Sequence, residues 1–133
     1  MTVLDTNVLL WLAKDDSRLG KKAVRLADRA LADDSLAVSA ITFWEVSTLC
    51  QKGRLDLFQP IEAWRKELLD LGLLEIPVTG DIGINAAAFT DYLRDPADRI
   101  IVATAAREGA LLLTSDERIL DWGGSLRRQD ARL

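Results

Sequence analysis

A central parallel β-sheet covered by helices on both faces is the α/β architecture that this sequence predicts, on three observations. Short apolar segments at Thr2–Leu4, Leu36–Ser39, Leu73–Ile76 and Ala110–Thr114 alternate with one or two helical stretches, the pattern of parallel strands joined by right-handed crossovers. The last of these is apolar without alternation, as strands buried on both faces are. The chain has 133 residues and 49% hydrophobic content, long enough for one domain over residues 1–133 that buries roughly two-thirds of its unfolded surface.

Each element has a local cause. Thr2–Leu4 begins an apolar stretch that reaches Asp5, after which Thr6 or Asn7 can cap a helix carrying Val8 to Leu12. Asp15, Asp16 and Ser17 mark a loop. Ala23, Leu26, Ala27, Ala30 and Leu31 then recur at helical spacing, with Lys22, Arg25 and Arg29 between them, so a second amphipathic helix runs to about Ala32. Ser39 closes a strand and offers an N-cap to a helix through Lys52 that Gly53 terminates. Pro60 begins a helix carrying Ile61, Trp64, Leu68 and Leu71, and Gly72 stops it. Asp81 to Phe89 is Ala-rich and helical. Tyr92 to Asp95 lead into a helix from Pro96 to Glu108 that ends at Gly109. The tail from Ser125 to Leu133 can add a short edge strand, although its charge leaves this open.

Composition removes several chemistries. With no histidine in the chain, Ser-His-Asp and Cys-His catalysis and His-containing zinc sites are excluded. Cys50 is the single cysteine, so no intrachain disulfide forms; it is expected to pack as a small hydrophobe in a reducing cytoplasm. No apolar run approaches the ~20 residues that span a membrane, and the acidic start at Asp5 is unlike a signal peptide, so a soluble, unprocessed protein is expected. The net charge of −4 argues against a broad phosphate-binding surface, unless bound cations match several of the acids.

Four acids stand beside apolar sequence. Asp5 follows Val3 and Leu4, at the carboxyl end of the first strand, where ligands bind in open α/β sheets; the competing reading is a helix cap. Asp116 repeats that situation after Leu111 to Ser115. Glu45 lies between Ile41 and Leu49 at i, i+4 and i+8, within an apolar row of its helix, where the alternatives are a carboxylate at the stripe edge or a pair with Lys52. Asp98 stands three residues after Asp95, as in a capping box, and leads into the apolar face of Ile101, Val102 and Ala105. Within that pair Asp95 is read as the structural cap. Trp44 and Trp64 are read as core residues; Trp11 and Trp122 complete the set of indoles, which are enriched at protein interfaces.

Four segments in this order resemble the PIN-domain ribonucleases, and within them the VapC-type toxins of toxin–antitoxin pairs. They are Val3-Leu4-Asp5-Thr6-Asn7, Ser39-Ala40-Ile41-Thr42-Phe43-Trp44-Glu45-Val46, Asp95-Pro96-Ala97-Asp98-Arg99-Ile100-Ile101-Val102-Ala103 and Leu113-Thr114-Ser115-Asp116. Ala97 stands where many relatives carry an aromatic. The resemblance implies a PIN-like three-layer sandwich, an acidic quartet of Asp5, Glu45, Asp98 and Asp116, and Thr6 or Ser115 as an auxiliary hydroxyl. It also implies a cognate antitoxin and a toxin homodimer.

The chemistry expected of such a quartet is metal-assisted. Two like charges at ~4 Å repel by about 4 kcal/mol at an effective dielectric near 20. One or two Mg²⁺ or Mn²⁺ ions would offset this, and phosphodiester hydrolysis without histidine then becomes accessible. Asp5 and Asp98 are the expected primary ligands, with Glu45 on metal or attacking water and Asp116 completing the site. Arg99, Lys52 and Arg54 are candidate contacts to RNA phosphate, although helix-end cations also complement the macrodipole. Two other functions stay open. Asp5-Thr6-Asn7 after a strand also fits a metal-dependent phosphatase, but residue 7 is Asn where a second acid is wanted. A catalytically inactive PIN-like module that binds metal or a basic peptide is the non-enzyme alternative.

Overall fold

In the computed structural model, which describes residues 1–89 and 93–133, five parallel strands form one sheet. They are β1 (Thr2–Leu4), β2 (Leu36–Ser39), β3 (Leu74–Ile76), β4 (Leu111–Thr114) and β5 (Arg127–Asp130), in the order β3-β2-β1-β4-β5. The helices among the described residues are α1 (Thr6–Ala13), α2 (Lys21–Ala32), α3 (Ile41–Gln51), α4 (Ile61–Asp70), α5 (Gly80–Ala87), α6 (Pro96–Arg107) and α7 (Glu117–Leu120). The lead-in expected from Tyr92 lies partly outside the described residues.

Period-two alternation along the strands decides the layering. Leu4, Leu36, Val38 and Leu113 join one apolar cluster with Val8, Leu9, Ala27, Phe43 and Trp64, drawn from α1 to α4. Val3, Ala37 and Leu112 join a second with Ile101, Val102 and Ala105 of α6 and Ile119 of α7. The two clusters are the two faces of one sheet, so the expected three layers are present. Helix α5 packs against α6 through Ile82, Ala86 and Ala103.

Local differences from the sequence reading have simple causes. Helix α1 is capped by Asp5, whose Oδ1 accepts from the Thr6 amide at 2.8 Å, so Thr6 and Asn7 fall inside the helix. Ser39 does serve α3, accepting from the Ile41 amide at 3.2 Å. Gly53 and Gly109 sit at φ +70° and +60° past α3 and α6, the left-handed ends predicted for them. The charged tail does form an edge strand, with Arg127 to Asp130 paired in parallel register to Leu111 to Thr114. An edge strand tolerates such charge because much of its surface meets water. The short helix α7 was not anticipated. Trp64 is buried as expected, but Trp44 is 61% exposed. It follows Phe43, which takes the inward position on α3 and stacks edge-on to Trp64.

The topology positions the site. From β1 the chain builds outward through β2 and β3 on one side, and β4 and β5 lie on the other. The order therefore reverses between β1 and β4, and the crevice outside the carboxyl ends of those strands is where such sheets bind ligands.

Candidate active site

Asp5 and Thr114 face each other across that reversal. The Thr114 hydroxyl donates to Asp5 Oδ2 at 2.7 Å, while Asp5 Oδ1 takes the Thr6 amide. Both oxygens of a nearly buried carboxylate are thereby engaged and aimed. Thr114 Oγ1 also accepts from the Asp116 amide at 3.1 Å, tying the loop after β4 to the same point. Asp116 Oδ1 caps α7 through the Arg118 amide at 2.8 Å.

Helix α3 brings Glu45 in from the β2 side. Thr6 Oγ1 donates to Glu45 Oε1 at 2.5 Å and lies 3.0 Å from Thr42 Oγ1. An ionised carboxylate only accepts, so the Thr6 proton points to Glu45, and Thr42 donates to Thr6. The expected alternative of a Glu45–Lys52 pair is absent among the described residues. Helix α6 supplies the remaining acids from its N-terminus, where Asp95 Oδ1 caps the Ala97 amide at 2.9 Å. One carboxylate oxygen from each of Glu45, Asp95 and Asp98 lies within 4.8 Å of the other two.

These groups line a cleft of about 560 Å³ that also includes Trp44, Lys52 and Ser115. A larger hollow of about 680 Å³, flanked by Leu31, Leu57, Phe58, Trp64 and Leu68, lies on the α2 and α4 side. Its lining is mainly apolar, so the chemistry belongs to the smaller cleft.

The electrostatics of the cleft call for cations. Burial, then the charges of Asp5, Asp95, Asp116 and Glu45, pushes the Asp98 carboxyl up to about 7. Glu45 is raised by burial against the opposing hydrogen bond from Thr6. Asp5 is also raised by burial, with the bonds from Thr114 and Thr6 pulling the other way. None of Asp5, Glu45, Asp95, Asp98 and Asp116 forms an ion pair among the described residues. A cluster of hard oxygen donors without a basic partner fits a divalent cation of the Mg²⁺ class in both charge and ligand type.

All four members of the expected quartet line this cleft, together with Thr6 and Ser115. Asp95 does cap α6 as expected, and in addition contributes a fifth carboxylate that the sequence reading had assigned to capping alone. Thr114 and Thr42 were also missed. Thr114 ends an apolar strand run, a place where a buried hydroxyl needs a partner, and that was the available signal. Lys52 lines the cleft. Arg54 and Arg99 do not. Arg54 borders a separate hollow with Cys50 and Leu55. The Arg99 guanidinium donates to the carbonyls of Leu93 and Arg94, holding the segment that delivers Asp95.

A parallel sheet of this order, with carboxylates gathered at its switch point and none of them in an ion pair among the described residues, is the arrangement of the PIN domain. The chain belongs to the PIN-domain family, whose model matches residues 2–124. Within the family, the chain is 32% identical over 118 residues to ribonuclease VapC22 of Mycobacterium tuberculosis (strain ATCC 25618 / H37Rv), covering 88% of each. Its fold is similar to that of VapBC2 from Rickettsia felis bound to a DNA fragment from their promoter, with a TM-score of 0.72 at 15% identity over 96% of both chains. It is also similar to a toxin–antitoxin complex from Klebsiella pneumoniae, with a TM-score of 0.62 at 22% identity over 92% of this chain and 93% of that one.

Proposed function

We propose that this chain is a metal-dependent endoribonuclease that hydrolyses RNA phosphodiester bonds, and the toxin of a toxin–antitoxin pair. The observation that carries this reading is the convergence of five carboxylates at the sheet's switch point, none of them in an ion pair among the described residues. Relationship to a VapC ribonuclease supports it.

Glu45, Asp95 and Asp98 would hold a Mg²⁺ or Mn²⁺ ion, with Asp5 and Asp116 completing the site. When bound, such an ion supplies water activation and neutralises charge at the scissile phosphate. Thr6 fixes Glu45 by engaging Oε1, which leaves Oε2 to bind or to accept a proton from attacking water. Thr114 orients Asp5 and keeps its carboxyl from rising further. Ser115, on the cleft wall, offers a hydroxyl to a phosphate oxygen, and Lys52 offers an ammonium. The phosphatase alternative is disfavoured at residue 7, where Asn stands in place of the second acid that reading wants.

A cognate antitoxin is the expected protein partner. The apolar hollow beside α4, with Phe58 90% exposed and Leu71 69% exposed at its border, supports a protein contact on this chain. No helix among the described residues is long and apolar enough to cross a membrane. A cytoplasmic site of action and a toxin homodimer complete the reading; light scattering with and without the antitoxin tests the dimer.

The central test is incubation of antitoxin-free protein with total cellular RNA, with and without Mg²⁺ or Mn²⁺, beside Asp98→Asn, with the new RNA ends sequenced. Discrete metal-dependent ends that vanish in the variant are expected. A folded, metal-binding protein that leaves all RNA intact refutes the nuclease and leaves the inactive module.

A further inference from the structure

Trp44 is an unusual neighbour for a metal-binding carboxylate. It precedes Glu45 on α3, lines the acidic cleft and leaves 61% of its surface in water. The other three indoles are engaged: Trp11 lies under the Arg18 guanidinium, Trp64 meets the Phe43 ring, and Trp122 meets Phe89 and Arg128. Trp44 has neither an aromatic nor a cationic partner among the described residues. Thr48 and Lys52 follow it at i+4 and i+8 and line the same cleft. The Thr48 hydroxyl donates back to the Trp44 carbonyl at 2.8 Å, so this wall presents a bare indole with one ammonium beyond it.

The charge balance of the cleft shows what that indole is for. Nonspecific nucleic-acid affinity normally comes from phosphate neutralisation by Lys and Arg. Among the described residues Lys52 is the single cation of the lining, against Asp5, Glu45, Asp95, Asp98 and Asp116. Even with divalent ions bound, little net positive charge remains to hold a polyanion. An uncharged contact adds to what the ions and Lys52 supply, and a base stacked on an indole face provides one whatever the base is. Only an unpaired base exposes a face to stack.

We infer that Trp44 is a positioning residue for substrate: it stacks a nucleobase beside the scissile phosphate while Lys52 meets the adjoining phosphate. This rests on the nuclease reading above and assigns one residue of its substrate site.

The test compares wild type with Trp44→Phe, Trp44→Leu and Trp44→Ala on oligoadenylate, on oligouridylate and on the oligoadenylate annealed to its complement. Wild type should cleave the single strands and spare the duplex. Trp44→Leu and Trp44→Ala should raise KM about tenfold to a hundredfold with a smaller change in kcat, and Trp44→Phe should recover most of the loss. Fluorescence titration of Asp98→Asn with oligoadenylate should show indole quenching that disappears when Trp44→Phe is added. Wild-type KM in both Trp44→Leu and Trp44→Ala, with wild type active, overturns the stacking role and leaves the nuclease intact. Conversion of a dimer to a monomer by Trp44→Ala in light scattering also overturns it, since the indole then faces a second copy of the chain. Wild type that is quenched by none of the three RNAs overturns the stacking role, while the nuclease reading stands or falls on total cellular RNA as above.

Discussion

Replacing Asp98 by Asn is expected to stabilise the metal-free protein at pH 8. Burial and the neighbouring acids hold the Asp98 carboxyl at about 7 instead of 3.8, so over the interval between those values the folded chain keeps a proton that the unfolded chain has released. Stability therefore falls as pH rises through that window and is level above it. Such a displacement corresponds to roughly 4 kcal/mol at pH 8. Because the side chain is only partly buried, solvent screening reduces the cost to roughly 2 kcal/mol at pH 8 and under about 1 kcal/mol at pH 5. Asp16 and Asp81, held at about 2 by Arg18 and by Thr79 with Arg107 respectively, titrate below this window and do not obscure it. Asn has the same shape and no charge. Thermal unfolding by circular dichroism in EDTA should place the variant roughly 5–10 °C above wild type at pH 8, with a smaller difference at pH 5. Excess Mg²⁺ should raise the wild-type Tm and move the variant far less, because ligand binding stabilises only a folded state that can bind it. A variant that melts below wild type at pH 8 in EDTA would refute this account of the carboxylate cluster.

Three further outcomes follow from the geometry. Thr114→Val keeps the buried shape but removes the donor to Asp5 Oδ2 and the acceptor for the Asp116 amide; it should cost about 1.5–3 kcal/mol in urea unfolding. The Asp5 carboxyl then moves higher, so calorimetric Mn²⁺ titration at pH 7 should give weaker binding, and Thr114→Ser should restore it. Arg99→Ala releases the carbonyls of Leu93 and Arg94, and should speed amide exchange at Arg94 and Asp95 and weaken metal binding on the order of tenfold, the scale of outer-shell substitutions. Gly20→Ala places a methyl 2.1 Å from the backbone carbonyl of Leu133, and should lower stability by about 1–3 kcal/mol without changing cleavage per folded molecule.

Much of the fold and of the site is legible in the residue order. The segments for β1, β2 and β4 announced themselves as short apolar runs, because a buried parallel strand needs side chains that tolerate desolvation on both faces; β3, an edge strand, carries Glu75 between two apolar residues. Helix ends at Gly53, Gly72 and Gly109 were readable because a left-handed residue is a local backbone requirement that favours glycine. Asp5, Glu45, Asp98 and Asp116 stood out for the same local reason: a charge beside apolar sequence conflicts with burial unless something compensates it.

What the residue order did not carry was which groups meet. Asp95 satisfies a helix cap, a sufficient local explanation, and its approach to Glu45 and Asp98 exists only because α3 sets Glu45 against the N-terminus of α6. Thr114 and Asp5 are 109 residues apart and become partners through β1–β4 pairing, as Thr6, Thr42 and Glu45 do through the packing of α1 on α3. Arg99 looked like a phosphate contact by charge, yet its guanidinium is turned to main-chain carbonyls. Trp44 and Phe43 are adjacent aromatics, and only the rotation of α3 against the sheet sends one into the core and the other into the cleft. The sequence by itself determined most of the elements and four of the five acids, because propensity, capping and desolvation act within a few residues. The tertiary structure decided the pairings and directions, because a hydrogen bond or a shared metal site is set by distance in space and not by separation along the chain.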